Sequence, residues 1–171
     1  GFYHQLPPIT ALSFRDAEGY LANKDLDYMR VISTAVGADW KFRDRLFIGL
    51  EGFYKQFLDI PLSLETGVPL TCTGADYGSI GEEMLVSSSS GRAYGVELLV
   101  RWLIPDKLSL VGSATLYKSE YKSAKDADYI PSAWDNRFIL NVSGVYDLPK
   151  YWSIGMKVSA IGGSPYTPYD E

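Results

Sequence analysis

The chain has 171 residues, of which 46% are hydrophobic and 14% aromatic, and its formal net charge is −5. This length suits one domain or a piece of a larger one, and the acidic balance argues against a general nucleic-acid-binding protein, which needs a basic face. No stretch reaches the roughly 18 consecutive apolar residues of a membrane-spanning helix, but a spanning β-strand needs no such run because only every second residue is apolar.

The single cysteine, Cys72, excludes an internal disulfide and a cluster of thiolate metal ligands. The chain starts at Gly1 with neither a Met nor a leader-like sequence. We therefore expect a fragment or a processed chain.

The first predicted elements are a strand end and a loop. Residues 1–5 have the pattern of the last residues of a strand, and Pro7 and Pro8 then end the ladder because proline has no N–H to donate. Residues 9–24 are polar and glycine-containing, which predicts a loop with a short helix near residues 14–20.

The first long hairpin is predicted from alternating apolar residues. Strands over 28–41 and 46–59 flank a short charged turn at 42–45. Glu51 lies in mid-strand on the less apolar side, where a dry protein core would make its charge costly and a wet interior would not. Residues 60–90 follow as a long irregular segment, with Ser87–Ser90 at a loop tip.

The second hairpin spans residues 91–121. Its turn is Pro105–Lys107, where proline presets φ and aspartate bonds locally. One face of its first strand carries Tyr94, Val96, Leu98, Val100, Trp102 and Ile104. Residues 118–133 are predicted to be a polar loop.

The third hairpin has strands over 137–147 and 152–160, joined by a turn at 148–150. A proline-rich and aromatic segment, 162–169, then ends the ladder. Short turns thus alternate with long loops, on strands of ten or more residues that rise ~25 Å when tilted as in a membrane barrel. The predicted fold is all-β, an antiparallel up-and-down meander of about six long strands within a larger transmembrane β-barrel.

Aromatic residues cluster near both predicted ends of the strands. At the tight turns they are predicted to form a periplasmic girdle, with capping of a soluble core as the alternative reading: Trp40, Trp102, Tyr151 and Trp152. Near the outer rim, Trp134-Asp135, Tyr166 and Tyr169 are candidates for stacking on a ligand or for anchoring in the membrane.

Charged residues interrupt the non-apolar face: Glu51, Lys55, Glu97, Arg101, Arg137, Asp147 and Lys157. Two interpretations stay open. Either they hold a plug or line a substrate path, or they only solvate the interior and pair across strands. No catalytic or metal motif is present: a triad would need His4 beside the chain start, and the loop Gly78–Gly81 is a weak phosphate-binding candidate. We expect no enzymatic activity, no cofactor and no metal, and we assign no ligand-binding residue.

Several motifs together resemble a known family. These are NKDLDYMRVISTAVGADW with LFIGLEGFYKQF, then GRAYGVELLVRW, SEY, YIPSAWDNRFILNVSGVYDLP and GGSPYTPYDE. In this order they resemble later barrel strands of a TonB-dependent outer-membrane receptor, most similar to the Bacteroidetes type, over Leu21 to Asp170. The resemblance implies a plug domain inside a barrel of about 22 strands. Residues 1–171 carry neither the plug nor a TonB-contacting segment, so they are identified as a partial barrel domain.

The resemblance implies a segment of a receptor for energy-coupled uptake of a siderophore, cobalamin, oligosaccharide or peptide. The implied partners are outer-membrane lipid, the protein's own plug, the TonB complex and a small nutrient, with no nucleic acid. A passive porin or structural barrel and a soluble lipocalin-like barrel are the alternatives. The six-stranded sheet would have two open edges, so we expect the isolated fragment to oligomerise, aggregate or need detergent.

Overall fold

The strands form one antiparallel sheet. A computed structural model describes residues 1–72 and 81–165, and within them the sheet has eight strands. The strands are β1 Phe2–Gln5, β2 Met29–Phe42, β3 Leu46–Ser63, β4 Leu85–Ile104, β5 Leu108–Lys122, β6 Ile130–Pro131, β7 Phe138–Leu148 and β8 Trp152–Ile161. One turn of helix, α1 (Ile9–Leu12), and a single 3₁₀ turn, Leu70–Cys72, lie in the connections. The all-β prediction is confirmed.

Strand order follows sequence order. The sheet runs β1-β2-β3-β4-β5-β7-β8, and β6 pairs with the end of β5. Six of the strands have ten or more residues, and the longest is β4 with 20. The predicted meander of six long strands is therefore confirmed, with β1 and β8 at the edges of the described sheet.

The tight turns have the backbone that their residues favour. Arg43 and Asp44 have φ of 49° and 52°, the positive values of the two central residues of a type I′ turn, and the Arg45 amide donates to the Phe42 carbonyl over 3.1 Å. Asp106 follows Pro105 and has φ 56°, the left-handed second position of a type II turn. The third turn is Pro149–Tyr151, one residue further along the chain than predicted. All three lie at one end of the sheet, here called the turn end; the opposite end is the loop end.

The register sorts the side chains of the long strands onto two faces. Val36, Gly52, Val96, Leu116 and Phe138 are consecutive cross-strand partners and so form one row on one face. In the six long strands, up to a register shift in β3 between Phe57 and Ile60, even-numbered residues lie on this face, here called the apolar face. Odd-numbered residues lie on the other, here called the charged face.

The apolar face is uncovered. Its large side chains are substantially exposed, including Val36, Leu50, Leu98, Leu116 and Ile154. An exposed apolar surface of this extent marks contact with another molecule or with lipid. Among the described residues no helix has the length and apolar character needed to span a membrane; this finding concerns helices only.

The serine run predicted to lie at a loop tip is part of a strand. β4 begins at Leu85, and Ser89 is buried, its hydroxyl donating to the carbonyl of Lys122 over 2.7 Å. The prediction was wrong because polarity was read as exposure, whereas the hydroxyls of Ser87 and Ser89 bond within the structure. The predicted loop at 118–133 also begins later, since β5 stays paired with β4 as far as Lys122.

The helix predicted near residues 14–20 was also wrong. That segment is a tight turn in which Arg15 bridges to Leu21, Asp16 accepts from the Tyr20 amide, and Gly19 has φ 84°. The only helical turn in the described part of this segment precedes it, at Ile9–Leu12.

The packed core lies at the loop end. Ala11 in α1, Leu70 in the 3₁₀ turn and Leu85 at the start of β4 are buried together, with Leu26 against them. Gly81 closes this cluster with φ 87°, and a Cβ there would stand 2.7 Å from the Cβ of Ala11. The long connections are therefore folded over the loop end of the sheet.

Candidate functional site

The centre of the charged face holds two carboxylates side by side. Glu51 on β3 and Glu97 on β4 are direct cross-strand partners, and both are exposed. Within the described residues neither forms an ion pair. Like charges directly opposite destabilise a sheet, so this pair is expected to take a cation from outside the described sheet.

The surrounding side chains extend this charge pattern toward the turn end. Asp39 lies two residues nearer the turn end than the carboxylate row, and its cross-strand partner is Gly49. A Cβ added at Gly49 would stand 3.0 Å from the Asp39 Oδ1. Two residues further down, Lys41, Arg101 and Lys157 share one row. The charged face thus has an acidic centre and a basic row. The basic row lies four residues, or roughly 13 Å, nearer the turn end.

The charged residues predicted to share the non-apolar face of the strands do so, with one exception. Lys55 and Asp147 lie on the charged face, and the Lys55 ammonium stands 5.7 Å from the centre of the Phe53 ring. Arg137 precedes β7 with φ 69° and forms an ion pair of 2.8 Å with Asp135, so it belongs to the loop end.

The Trp134-Asp135 pair predicted for the outer rim divides into two roles. Trp134 is exposed, whereas Asp135 is fully buried and its Oδ1 accepts from the Ser119 amide over 2.9 Å. Ser132 donates to the Ser119 hydroxyl beside it. Asp135 is therefore a structural tie and is not available to a ligand.

A second buried tie fixes the first connection. The Asn23 side chain donates to the carbonyls of Ala11 and Glu83 and accepts from the Leu85 amide, with distances of 2.8–3.0 Å. Sequence reasoning missed this residue, since an asparagine in a polar segment carries no signal of burial.

Aromatic side chains mark both ends of the apolar face. Trp40, Trp102 and Trp152 lie near the turns and are exposed, as is Tyr151 within its turn. Nearer the loop end, the rings of Tyr54 and Tyr94 stack with centroids 6.5 Å apart. Sequence reasoning did not identify Tyr54 and Tyr94 as a pair, although their even numbers place both on the apolar face.

Of the remaining candidates, the structure describes His4 and Cys72 and gives neither of them a site. His4 lies in β1 opposite Arg30 and is exposed. Burial raises the pKa of the Cys72 thiol to about 12, which leaves it unreactive at neutral pH. In the described part of the chain, no group of three or more His, Cys, Asp or Glu is arranged to hold a metal. Most of the loop Gly78–Gly81, together with Tyr166 and Tyr169, lies outside the described residues.

Comparisons with known proteins agree with this geometry. Residues 4–171 match the family described as TonB dependent receptor-like, beta-barrel. The fold is similar to the structure of the alcaligin outer membrane receptor FauA from Bordetella pertussis, with a TM-score of 0.58 and 15% sequence identity. That match covers 95% of this chain and 26% of the receptor, so the chain spans about a quarter of its length. No curated protein sequence matches.

Proposed function

Because the chain belongs to the TonB-dependent receptor family, as part of its β-barrel, we propose that it is a segment of a receptor for energy-coupled uptake of a nutrient. Receptors of this family are outer-membrane proteins, so the apolar face meets lipid and the charged face lines the barrel lumen. A siderophore, cobalamin, an oligosaccharide or a peptide is the proposed class of ligand. The Bacteroidetes-type resemblance stays a prediction.

The observation that carries the proposal is the carboxylate pair on the lumen wall. Glu51 and Glu97 face each other at mid-strand, and no cation among the described residues forms an ion pair with either of them. A plug domain that brings a guanidinium between them would convert mutual repulsion into two charge-assisted hydrogen bonds. The proposed transport makes and breaks no covalent bond: TonB moves the plug, and the ligand passes through the lumen.

Uptake by the full-length receptor tests the proposal. We expect ligand accumulation in cells to require TonB, and the purified receptor in planar bilayers to show little spontaneous conductance. Large spontaneous conductance with uptake that does not need TonB would instead establish a passive porin.

The carboxylate pair has its own test. The double variant Glu51→Gln with Glu97→Gln is expected to loosen the plug and raise the spontaneous conductance. Asp147→Asn, a lumen-face acid near the turn end, is the matched control and should leave conductance unchanged. Equal conductance in the wild type and the double variant would show that the pair only solvates the lumen.

A further inference from the structure

The loop end of the apolar face carries a group of cations on β4 and β5. Arg92 on β4 and Lys118 on β5 both form ion pairs with Glu120, the arginine at 2.9 Å. The Glu120 side chain is 5% exposed, whereas those of Arg92 and Lys118 are 34% and 36% exposed. Lys122 follows on the same face. Three cations and one carboxylate leave two net positive charges.

Aromatic contacts hold two of these cations in place, Arg92 and Lys122. The Arg92 guanidinium carbon stands 3.9 Å from the centre of the Tyr129 ring, and the Lys122 ammonium stands 5.3 Å from it. The Lys122 ammonium also donates to the carbonyl of Lys125 over 2.5 Å. Stacking of this kind orders long side chains before any ligand arrives, which lowers the entropic cost of binding.

The height of the group along the strands places it at the membrane surface. Arg92 is ten residues from Trp102 on the same strand and face. Ten residues of a strand tilted near 40° rise ~25 Å, the height of the apolar band of an outer-membrane barrel. With Trp102 at one interface, Arg92 therefore lies at the other, just beyond the stacked rings of Tyr54 and Tyr94.

The buried carboxylate of Glu120 is held between two cations. Its two ion pairs, with Arg92 and with Lys118, compensate the cost of burying its charge. Asp126 and Asp128 are exposed in the loop before Tyr129 and form no ion pair with these cations. Glu120 thus acts as a fixed support beneath the more exposed cations.

We propose that Arg92, Lys118 and Lys122 bind the phosphate-bearing headgroup of a lipid in the outer leaflet. Guanidinium and ammonium groups suit phosphate oxygens, and the acyl chains of the lipid would lie along the apolar residues below, such as Val96 and Leu116. This inference rests on the membrane orientation of the sheet and not on transport, so uptake assays and lipid-binding assays can fail separately.

Native mass spectrometry of the detergent-solubilised full-length receptor tests the proposal. The probes are dioleoyl phosphatidic acid, dioleoyl phosphatidylcholine with the same acyl chains, and inorganic phosphate. We expect the phosphatidic acid to bind more tightly than the phosphatidylcholine, and inorganic phosphate at millimolar concentration not to displace it. The phosphate charge and the acyl chains would then both contribute.

The informative variant is Lys118→Gln with Lys122→Gln, because it removes both net charges and leaves Arg92 to pair with the buried Glu120. It should weaken the binding of phosphatidic acid roughly tenfold or more, since each cation near a charged lipid surface contributes appreciably. The matched control, Lys41→Gln with Lys55→Gln, removes two lysines from the charged face and should bind as the wild type does.

Three results would overturn the proposal. These are equal binding of phosphatidic acid by the Lys118 and Lys122 variant and the wild type, equal binding of the two lipids, and displacement of the lipid by inorganic phosphate alone. The folding of each variant is checked by its heat-dependent mobility on gels. Arg92→Lys gives a second variant, which keeps the positive charge and removes the planar guanidinium group. Unchanged binding by Arg92→Lys together with tenfold loss in the lysine variant would still support a charge-based site.

Discussion

Leu98 offers the most direct test of which face meets lipid. It lies on the apolar face of β4, four residues from Trp102 and six from Arg92, which places it ~10 Å above the turn-end aromatic band. Its cross-strand partners are Leu50 and Ala114, so an arginine introduced at this position would find no anionic neighbour in its row.

The expected cost follows from this depth. An arginine on the lipid face near the middle of the membrane destabilises an outer-membrane barrel by about 2–4 kcal/mol. The lost leucine contributes separately, and Leu98→Ala measures that share. Leu99→Arg is the matched control, because the adjacent residue points to the lumen between Gly49 and Ser113, where a charge meets water. We expect Leu99→Arg to cost less than about 1 kcal/mol.

Urea unfolding of the full-length receptor in lipid vesicles, followed by tryptophan fluorescence, gives the three free energies of unfolding. Leu98→Arg should be less stable than both Leu98→Ala and Leu99→Arg. The assignment of faces is wrong if Leu99→Arg is the more damaging arginine, or if Leu98→Arg unfolds at the same urea concentration as the wild type.

Three further outcomes are expected at the loop end. Asn23→Ala should destabilise the folded first connection by about 2–4 kcal/mol, because the three hydrogen bonds of this buried side chain are lost. The increase in the hydrogen-exchange rate of the Leu85 amide measures this destabilisation. Gly91→Ala should impair assembly, because a Cβ would stand 2.2 Å from the Tyr121 ring, and adding Tyr121→Ser should restore much of the loss. Iodoacetamide at pH 8 should modify Cys72 about 1,000-fold more slowly in the folded chain than in urea, since its pKa is raised from 9.0 to about 12; equal rates would contradict this burial.

The faces and the turns could be predicted because both depend on nearby residues. Alternation with a period of two assigns Val96 and Glu97 to opposite faces without knowledge of any partner strand. The turn at Pro105–Asp106 follows from the φ preference of proline and from the tolerance of aspartate for left-handed backbone. Neither inference needs a contact that is distant in sequence.

The loop end could not be predicted because its ties are distant in sequence. The Asn23 side chain bonds to the carbonyl of Glu83, 60 residues away, and Asp135 bonds to the Ser119 amide, 16 residues away. Each side chain looks like solvent-exposed polar sequence until its partner is placed beside it. Polarity indicates burial or exposure only once the register and the path of the loops are known.

The carboxylate pair also depends on information that the sequence alone does not contain, namely the register between β3 and β4. The sequence places Glu51 and Glu97 on one face, but only the pairing of β3 with β4 makes them direct neighbours. A shift of two residues would preserve both faces and set Glu51 opposite Gly95 or Leu99, where no repulsion arises. The observed register keeps the two charges together, although like charges opposite each other destabilise a sheet. On the proposed function this repulsion is relieved by a cation from the plug, so the lumen wall is more stable with its plug than without it.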